Sequence, residues 1–515
     1  MKLTYFHFIK GDHSHPLEGF KNHFHSQKDL GGTTAPICLA GINGSGKSKL
    51  LELLSEIFFY LDNYFRDGSK KPKTSKLEFE IQYLLEKKEQ KVKIKKESDN
   101  HAPSVFVMND DEWKAVESEK SIRALLPIHI VGYTSGENET LSKKFVETYI
   151  NYSEAVTGQT ENLGEEGFIG KIPNTRLVFM DYKVNSFVFI ANNLFRSQRE
   201  LETIHKKIKT LDSLESFRIT IQLKPRYKGR LIKINLTAEL NNYIGALNKC
   251  STCSFYDEEN NKWILDFYVN EETKKLFKIH FDSAFNFYTS IYKLELLNDI
   301  LLRKEKKELI TNPEYPNQKH EMPELSSEDK VFFVENIRVN LKNKKEDIGY
   351  YGLSDGEHQL LHVLGTLMMI DLKDVLFLLD EPETHFNPQW RSKFIATVSE
   401  FKNSKYQEFL ITTHSPFILS DCKKENVLIF KNGKAKTPEI QTYGLSMERM
   451  LQEAFGVIPP MSEKALKEIK ALQKKTKSSE IEKRLDDFGE SIEKFYLYER
   501  LEELKEKEKK EKNNK

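Results

Sequence analysis

The segment Gly41–Ser48, GINGSGKS, constrains this 515-residue chain more than any other. It fits G-x-x-x-x-G-K-[ST], follows the apolar run PICLA (36–40) and opens a stretch with helical periodicity, 47–66. A strand, a glycine-rich turn and a helix in that order aim backbone N–H groups and the positive end of the helix at one point, which suits a polyphosphate. The spacing predicts that Gly41, Asn43, Gly44, Ser45 and Gly46 curl around phosphates, that Lys47 reaches the outer ones and that Ser48 holds Mg²⁺. A glycine-rich surface turn carries the same letters. The flanking strand and helix argue against that reading.

Three further motifs follow downstream. VLFLLDEPE (375–383) is an apolar run ending in acids, as expected of a buried parallel strand with carboxylates at its C-terminal end. Such a pair is costly to bury without a cation. Asp380 is placed to hold the Mg²⁺ water shell, and Glu381 to polarise an attacking water as general base. LSDGEHQ (353–359) reads as a helix N-terminus. FLITTHSP (409–416) is a second buried strand, ending at Thr412 and Thr413 and followed by His414.

In this order the four motifs resemble those of the ABC ATPase family, whose signature is LSGGQ or LSxGExQ. The resemblance implies an ATP-binding and ATP-hydrolysing head in which Leu353, Ser354, Gly356 and Glu357 meet the γ-phosphate held by another subunit. It therefore implies a head-to-tail homodimer, or a higher even oligomer, with shared ATP and Mg²⁺ sites. His414 takes the place of the switch histidine, which orients water together with the catalytic Glu381. THFNP (384–388) occupies the place of the D-loop, where His385 and Asn387 either signal between sites or cap the next helix. The family's Q-loop falls after IHIVGY (128–133), where no Gln stands; Glu137 and Asn138 are the candidates for Mg²⁺ contact. No residue is assigned to the adenine.

The expected fold is α/β: an ABC-type P-loop ATPase head with a mixed, largely parallel sheet, flanking helices and an antiparallel β subdomain, plus an α+β insertion and a helical tail. The divisions are 1–180 for the first ATPase lobe, 181–330 for the insertion, 331–440 for the second lobe and 441–515 for the tail. Strands are expected at 2–9, 76–84, 90–96, 128–133, 217–223, 230–236, 263–268, 275–281, 331–340, 375–380, 408–412 and 426–431. Helices are expected at about 196–212 and 283–308. The tail is helical from 463, splits near 475–479, and ends in a frayed, disordered KEKEKKEKNNK. Ile492, Phe495, Tyr496, Leu497, Leu501 and Leu504 form an apolar stripe on it. That stripe covers the chain's own core, covers a dimer mate, or docks a partner protein.

A net charge of +1 removes any global argument for nucleic acid and leaves a local basic patch open. No apolar run approaches a membrane span, no secretory leader precedes the first strand, and four Cys make no disulfide framework, so cytoplasmic residence is expected. Cys250 and Cys253 form a CxxC that reads as a β-turn rather than a metal or redox pair.

Length and insert narrow the resemblance. Transporter cassettes are shorter, SMC proteins carry long coiled coils that are absent, and OLD nucleases append a TOPRIM domain for which the residues after His414 are too few. The wording PICLAGINGSGKSKLLELL, DEPETHFNPQWR, ITTHSPFIL and TYGLSMERMLQEAFGV is similar to the stand-alone ATPases of restriction, Septu and retron (PtuA-type) antiphage defence. That implies control of a separately encoded HNH-type nuclease. The alternative is a RecF- or SMC-like repair or recombination ATPase that clamps DNA.

Overall fold

Four largely apolar runs, three of them ending in polar residues, build the centre of the molecule. In the computed structural model, Ile37–Ala40, Val375–Asp380, Gln407–Thr413 and Val427–Lys431 lie in one seven-stranded sheet with His129–Thr134, Leu177–Met180 and Lys434–Lys436. The order is 434–436, 427–431, 37–40, 407–413, 375–380, 129–134, 177–180, parallel throughout except for the 434–436 edge. Ile37–Ala40, Val375–Asp380 and Gln407–Thr413 are buried along their whole length, which is what continuous Val/Ile/Leu/Phe runs are suited to. The register sets Asp380 opposite Thr412 on one side and Thr134 on the other, and Thr413 opposite Ala40. The polar C-terminal ends of three neighbouring strands, and Ala40 just before the glycine loop, thus meet at one end of the sheet.

The structure describes residues 1–11, 15–25, 35–66, 76–86, 89–98, 101–135, 141–161, 175–208, 211–311, 325–326, 328–342, 347–401, 406–459 and 461–513. Two compact units result, Met1–Leu445 and Ser446–Lys515.

Within the first unit, a six-stranded antiparallel sheet runs in the order 21–23, 2–10, 78–84, 91–96, 104–109, 112–115. Helix Lys47–Tyr64 lies in a core shared by the two sheets: its Leu50, Leu54 and Ile57 join Phe6, Phe79 and Ile81 of the antiparallel sheet and Leu39, Leu376 and Leu410 of the parallel one. This grip fixes the helix whose first residue is Lys47.

The insertion carries a five-stranded sheet in the order 253–257, 262–268, 211–222, 332–341, 347–349. Strand Phe332–Leu341, expected with the second lobe, pairs along Leu211–Gln222 of the insertion. Several expectations need correction here. The segment 275–281 is not a strand: 275–280 belong to helix Glu271–His280, capped by Asn270 on Thr273 N, with acids in its first turn and Lys278 and His280 in its last, and Phe281 ends it. The helix expected at 196–212 stops at His205, and Leu211 already begins a strand. The expected strand 230–236 shrinks to the two-residue Arg230–Leu231. The long helix 283–308 is two, Ala284–Glu295 and Leu297–Thr311. Cys250 ends helix Ala238–Cys250 and is buried, while Cys253 begins a strand and is exposed, so the pair straddles a helix-to-strand joint rather than a β-turn.

The second unit has its own small core. Leu497, Leu501 and Leu504 of helix Ile492–Asn513 pack with Ile469, Leu472 and Ile481. Ile492, Phe495 and Tyr496 are more than half exposed. The expected single stripe is two opposite faces of one helix, because 497, 501 and 504 repeat on one side and 492, 495 and 496 on the other. The tail is helical to Asn513, and Glu508 accepts from Ser478 N (2.9 Å) and Ser478 Oγ (2.7 Å). Among the described residues no helix is long and apolar enough to cross a membrane.

Candidate functional site

The glycine loop leaves its strand at Gly41, where φ is +142° and an added Cβ would stand 2.5 Å from the Phe430 carbonyl oxygen. Only glycine fits there. Gly46 (φ +109°) is the left-handed residue before helix Lys47–Tyr64, which has no side-chain cap and no acid in its first turn, so its leading N–H groups face outward. The hairpin turn Asn432–Gly433 braces the loop from beneath: Gly433 N donates to Ser45 O at 2.9 Å. Asn43 and Gly44 are exposed at the tip. Ser45 is buried, and its Oγ has no partner among the described residues.

Lys47 is buried, and its Nζ donates to Gly41 O (3.0 Å) and Ile42 O (3.2 Å). Burial lowers its pKa against the pull of Glu381 and Asp380. Ser48 Oγ donates to Asp380 Oδ1 at 2.8 Å, and Thr412 Oγ1 donates to the same oxygen. Burial raises the Asp380 pKa, and those two hydroxyls work against the rise. A hydroxyl and a carboxylate this close, beside a loop whose N–H groups point outward, form the oxygen set that Mg²⁺ takes when phosphates supply further ligands. The residues therefore fit a magnesium–nucleotide complex.

Glu381 turns the chain away from the strand end with φ +48°, a left-handed conformation costing a non-glycine residue about 1–2 kcal/mol. Its N–H donates to Thr412 Oγ1 at 2.9 Å. Its carboxylate lies 3.2 Å from His414 Nε2, and that contact holds its pKa below the ordinary value. His414 Nε2 is also 3.0 Å from Lys47 Nζ. Lys47, Ser48, Asp380, Glu381 and His414, separated by up to 367 positions, converge on one locus.

Leu353 is buried, and Ser354 is the exposed N-cap of helix Asp355–Met369. Glu357 closes a capping box, its Oε2 accepting from Ser354 N (2.9 Å) and Oγ (2.8 Å), so its carboxylate is engaged within its own helix. Gly356 lies against the 384–388 turn, where a Cβ would approach the His385 carbonyl oxygen to 3.0 Å. Asn387 caps helix Pro388–Arg391, accepting from Trp390 N at 2.9 Å; the His385 side chain is exposed.

Four residues here escaped sequence reasoning. Gln359, fully buried, donates to Pro382 O (2.8 Å) and accepts from His385 N (2.9 Å), tying the signature helix to the turn after Glu381. Glu383, whose carboxyl is pushed up to about 7 by burial, accepts from Thr413 Oγ1. Ser135 Oγ is 2.8 Å from Thr384 Oγ1, and Ser135 N donates to Asp380 O at 3.3 Å. The polar turn after IHIVGY therefore starts beside the acidic strand end. Glu137 and Asn138 themselves lie outside the described residues. Among the described residues no group of three His, Cys, Asp or Glu stands together.

The family described as "AAA domain, putative AbiEii toxin, Type IV TA system" matches residues 212–420, under half of the chain. Protein ea59 of Escherichia phage lambda is 26% identical over 148 residues, which are 27% of this chain and 26% of that protein. The chain thus spans about a quarter of the curated relative's length. Solved structures that align with it include an SMC head domain from Thermotoga maritima (12% identity, 85% of this chain, 100% of that one, TM-score 0.32). Another is the recombination mediator protein RecF bound to an ATP analogue (12% identity, 84% and 97%, TM-score 0.32).

Proposed function

We propose that this chain is an ATPase of the ABC type that closes head to tail around shared ATP and, through that cycle, controls a separately encoded nuclease in antiphage defence. The observation that carries the ATPase reading is the convergence of Lys47, Ser48, Asp380, Glu381 and His414 at the ends of three neighbouring parallel strands. The nuclease role rests on the wording of DEPETHFNPQWR and ITTHSPFIL. A RecF- or SMC-like DNA clamp is the alternative.

In this reading the N–H groups of Gly41–Lys47 and the Lys47 ammonium bind the β- and γ-phosphates. Ser48 Oγ and Asp380 hold Mg²⁺, which supplies charge neutralisation on the phosphates. Glu381, kept anionic by its lowered pKa, accepts a proton from the water it orients beside the γ-phosphate. His414 fixes the Glu381 carboxylate and changes partner when Lys47 turns to the phosphates. Leu353, Ser354 and Gly356 of a second copy close over the nucleotide.

Two variants test the chemistry by nucleotide-binding titration and phosphate release. Lys47→Ala loses ATP binding. Glu381→Gln binds ATP as before and turns over on the order of a hundredfold or more slower. Unchanged turnover in Glu381→Gln removes Glu381 from the role. Co-purification with mass spectrometry separates the two biological readings: a bound nuclease supports the first, bound DNA the second.

A further inference from the structure

A second cavity, of about 260 Å³, opens at the other end of the parallel sheet. His129 and Leu372 line it, at the N-terminal ends of strands 129–134 and 375–380, whereas the phosphate loop and its acids sit at the C-terminal ends. Its walls come from helix Lys143–Glu161, strand Leu177–Met180 and helix Ala284–Glu295.

Three polar atoms in this wall have no partner among the described residues although they are buried: His129 Nδ1, Tyr152 OH and Tyr288 OH. Buried hydroxyls are nearly always paired, and three orphans around one space mark a site that takes its partners from outside the chain. Burial holds His129 neutral by lowering its pKa to about 4, and raises the phenol of Tyr288 well above its usual value. All three groups are therefore uncharged hydrogen-bonding groups.

The rest of the lining is aromatic. Tyr288 and Tyr292 stack at 5.7 Å and 10°, Phe285 stacks on Tyr288 at 6.4 Å, and Tyr149 meets Tyr292 edge-on at 5.1 Å. Two cations reach the cavity, and each already faces an acid: Arg66 is 2.5 Å from Asp62, and Lys293 is 2.8 Å from Glu239. Each cation thus already has a carboxylate partner, Asp62 being shared with Arg176 at 3.4 Å, so the three hydrogen-bonding groups named above are the neutral ones and suit a neutral ligand. Water satisfies hydroxyls but gains nothing from rings. A flat ring with donors and acceptors on its edge uses both.

We propose that this cavity binds a neutral planar nitrogen heterocycle, a nucleobase presented as a nucleoside or as a base turned out of a single strand, at a site separate from the phosphate loop. Tyr152 and Tyr288 hydroxyls and His129 Nδ1 read the edge of the ring, and the tyrosine ladder packs its face. The cavity volume admits a purine or pyrimidine and excludes a stacked dinucleotide.

The test is isothermal titration of the full chain, saturated with a non-hydrolysable ATP analogue, against adenosine, guanosine, cytidine, uridine and thymidine. Parallel titrations use mixed-sequence single-stranded DNA and RNA. Saturating the phosphate loop first keeps a nucleoside from registering there. At least one nucleoside binds at one per chain, or a strand does so where free nucleosides do not, which tells the two sources apart. Ala155→Phe, which fills the cavity, abolishes that binding and leaves the ATP analogue's affinity unchanged. Tyr288→Phe and Tyr152→Phe keep the rings and weaken binding about tenfold each. They also raise the melting temperature of the free protein, because each removes a buried hydroxyl that lacks a partner, whereas a hydroxyl with a structural role would lower it. If Ala155→Phe does not fold, the two tyrosine variants decide alone. No binding by any nucleoside or strand, or binding that survives these substitutions, overturns the proposal.

Discussion

A single nitrogen, Nε2 of His414, lies 3.0 Å from Lys47 Nζ and 3.2 Å from Glu381 Oε1. With a lone pair it accepts from Lys47; with a proton it donates to Glu381; it cannot do both in one tautomer. The histidine is thus a two-position link between Lys47 of the glycine loop and Glu381, the proposed general base. The neighbouring Glu383 is a different case, a carboxyl buried with Oε2 unpartnered among the described residues and a pKa pushed up to about 7. Because the folded chain keeps a proton that the unfolded chain releases near pH 4.5, its contribution to stability is complete below that pH and is lost as pH rises through about 7. At about 1.4 kcal/mol per unit, the shift is worth about 3 kcal/mol across that window. Glu383→Gln, neutral at every pH, should flatten the fall in melting temperature between pH 5 and 7.5 that the parent shows. Calorimetry across that range checks it, and an identical slope in both proteins would mean that Glu383 is ionised throughout.

At the scale of elements, what was legible in the sequence is the set of runs whose chemistry stands at their ends. PICLA reads as an apolar strand and VLFLLD and FLITT as buried ones, and all three are buried strands, because a doubly covered parallel sheet demands unbroken apolar residues. Where alternation and helical period coincide, the reading failed. LFKIHF (276–281) alternates well enough for a strand, yet Phe277 packs on Phe267 at 5.5 Å from a helix that Asn270 starts. The contacts that lock the site were illegible for another reason: they join residues distant in sequence, as Thr412 joins Asp380 and Gln359 joins His385. Gln359 stands inside the motif LSDGEHQ, but only the fold shows that it clamps the turn after Glu381. Gln359→Leu leaves the Pro382 carbonyl and the His385 N–H without that partner, costing about 1–3 kcal/mol for each. Glu381, the proposed general base, sits on the slackened turn, so turnover should fall about tenfold to a hundredfold while ATP affinity holds. Equilibrium binding beside steady-state turnover separates the two effects, and an equal loss in both would make Gln359 a folding residue only.

At the scale of the molecule, the tail's separate core predicts that the proposed ATPase activity resides in residues Met1–Leu445 without it. A chain ending at Leu445 should remain folded and turn over ATP within about twofold of the full chain, a result that steady-state phosphate release checks. Assembly is the sharper question. Lys47, Glu381 and His414 meet within one chain, while Ser354 and Asp355 face outward at the exposed start of their helix, with Tyr351 beside them two-thirds exposed. In the proposed two-fold dimer with reciprocal sites, the gathered residues are one half of each nucleotide site and the displayed ones the other half. Mixing Lys47→Ala protein with Ser354→Arg protein is decisive. Each alone forms dimers in which both sites are broken. A mixed dimer pairs the intact phosphate loop of one copy with the intact signature of the other, restoring one of its two sites and leaving the second doubly broken. With random exchange about half of the dimers are mixed, so about a quarter of the parental sites return. Activity near that level, rising from almost none on mixing, is the expected outcome. If mixing restores nothing, or if Ser354→Arg alone keeps full turnover at concentrations where the chain is monomeric, each chain completes its own site and the head-to-tail dimer is wrong.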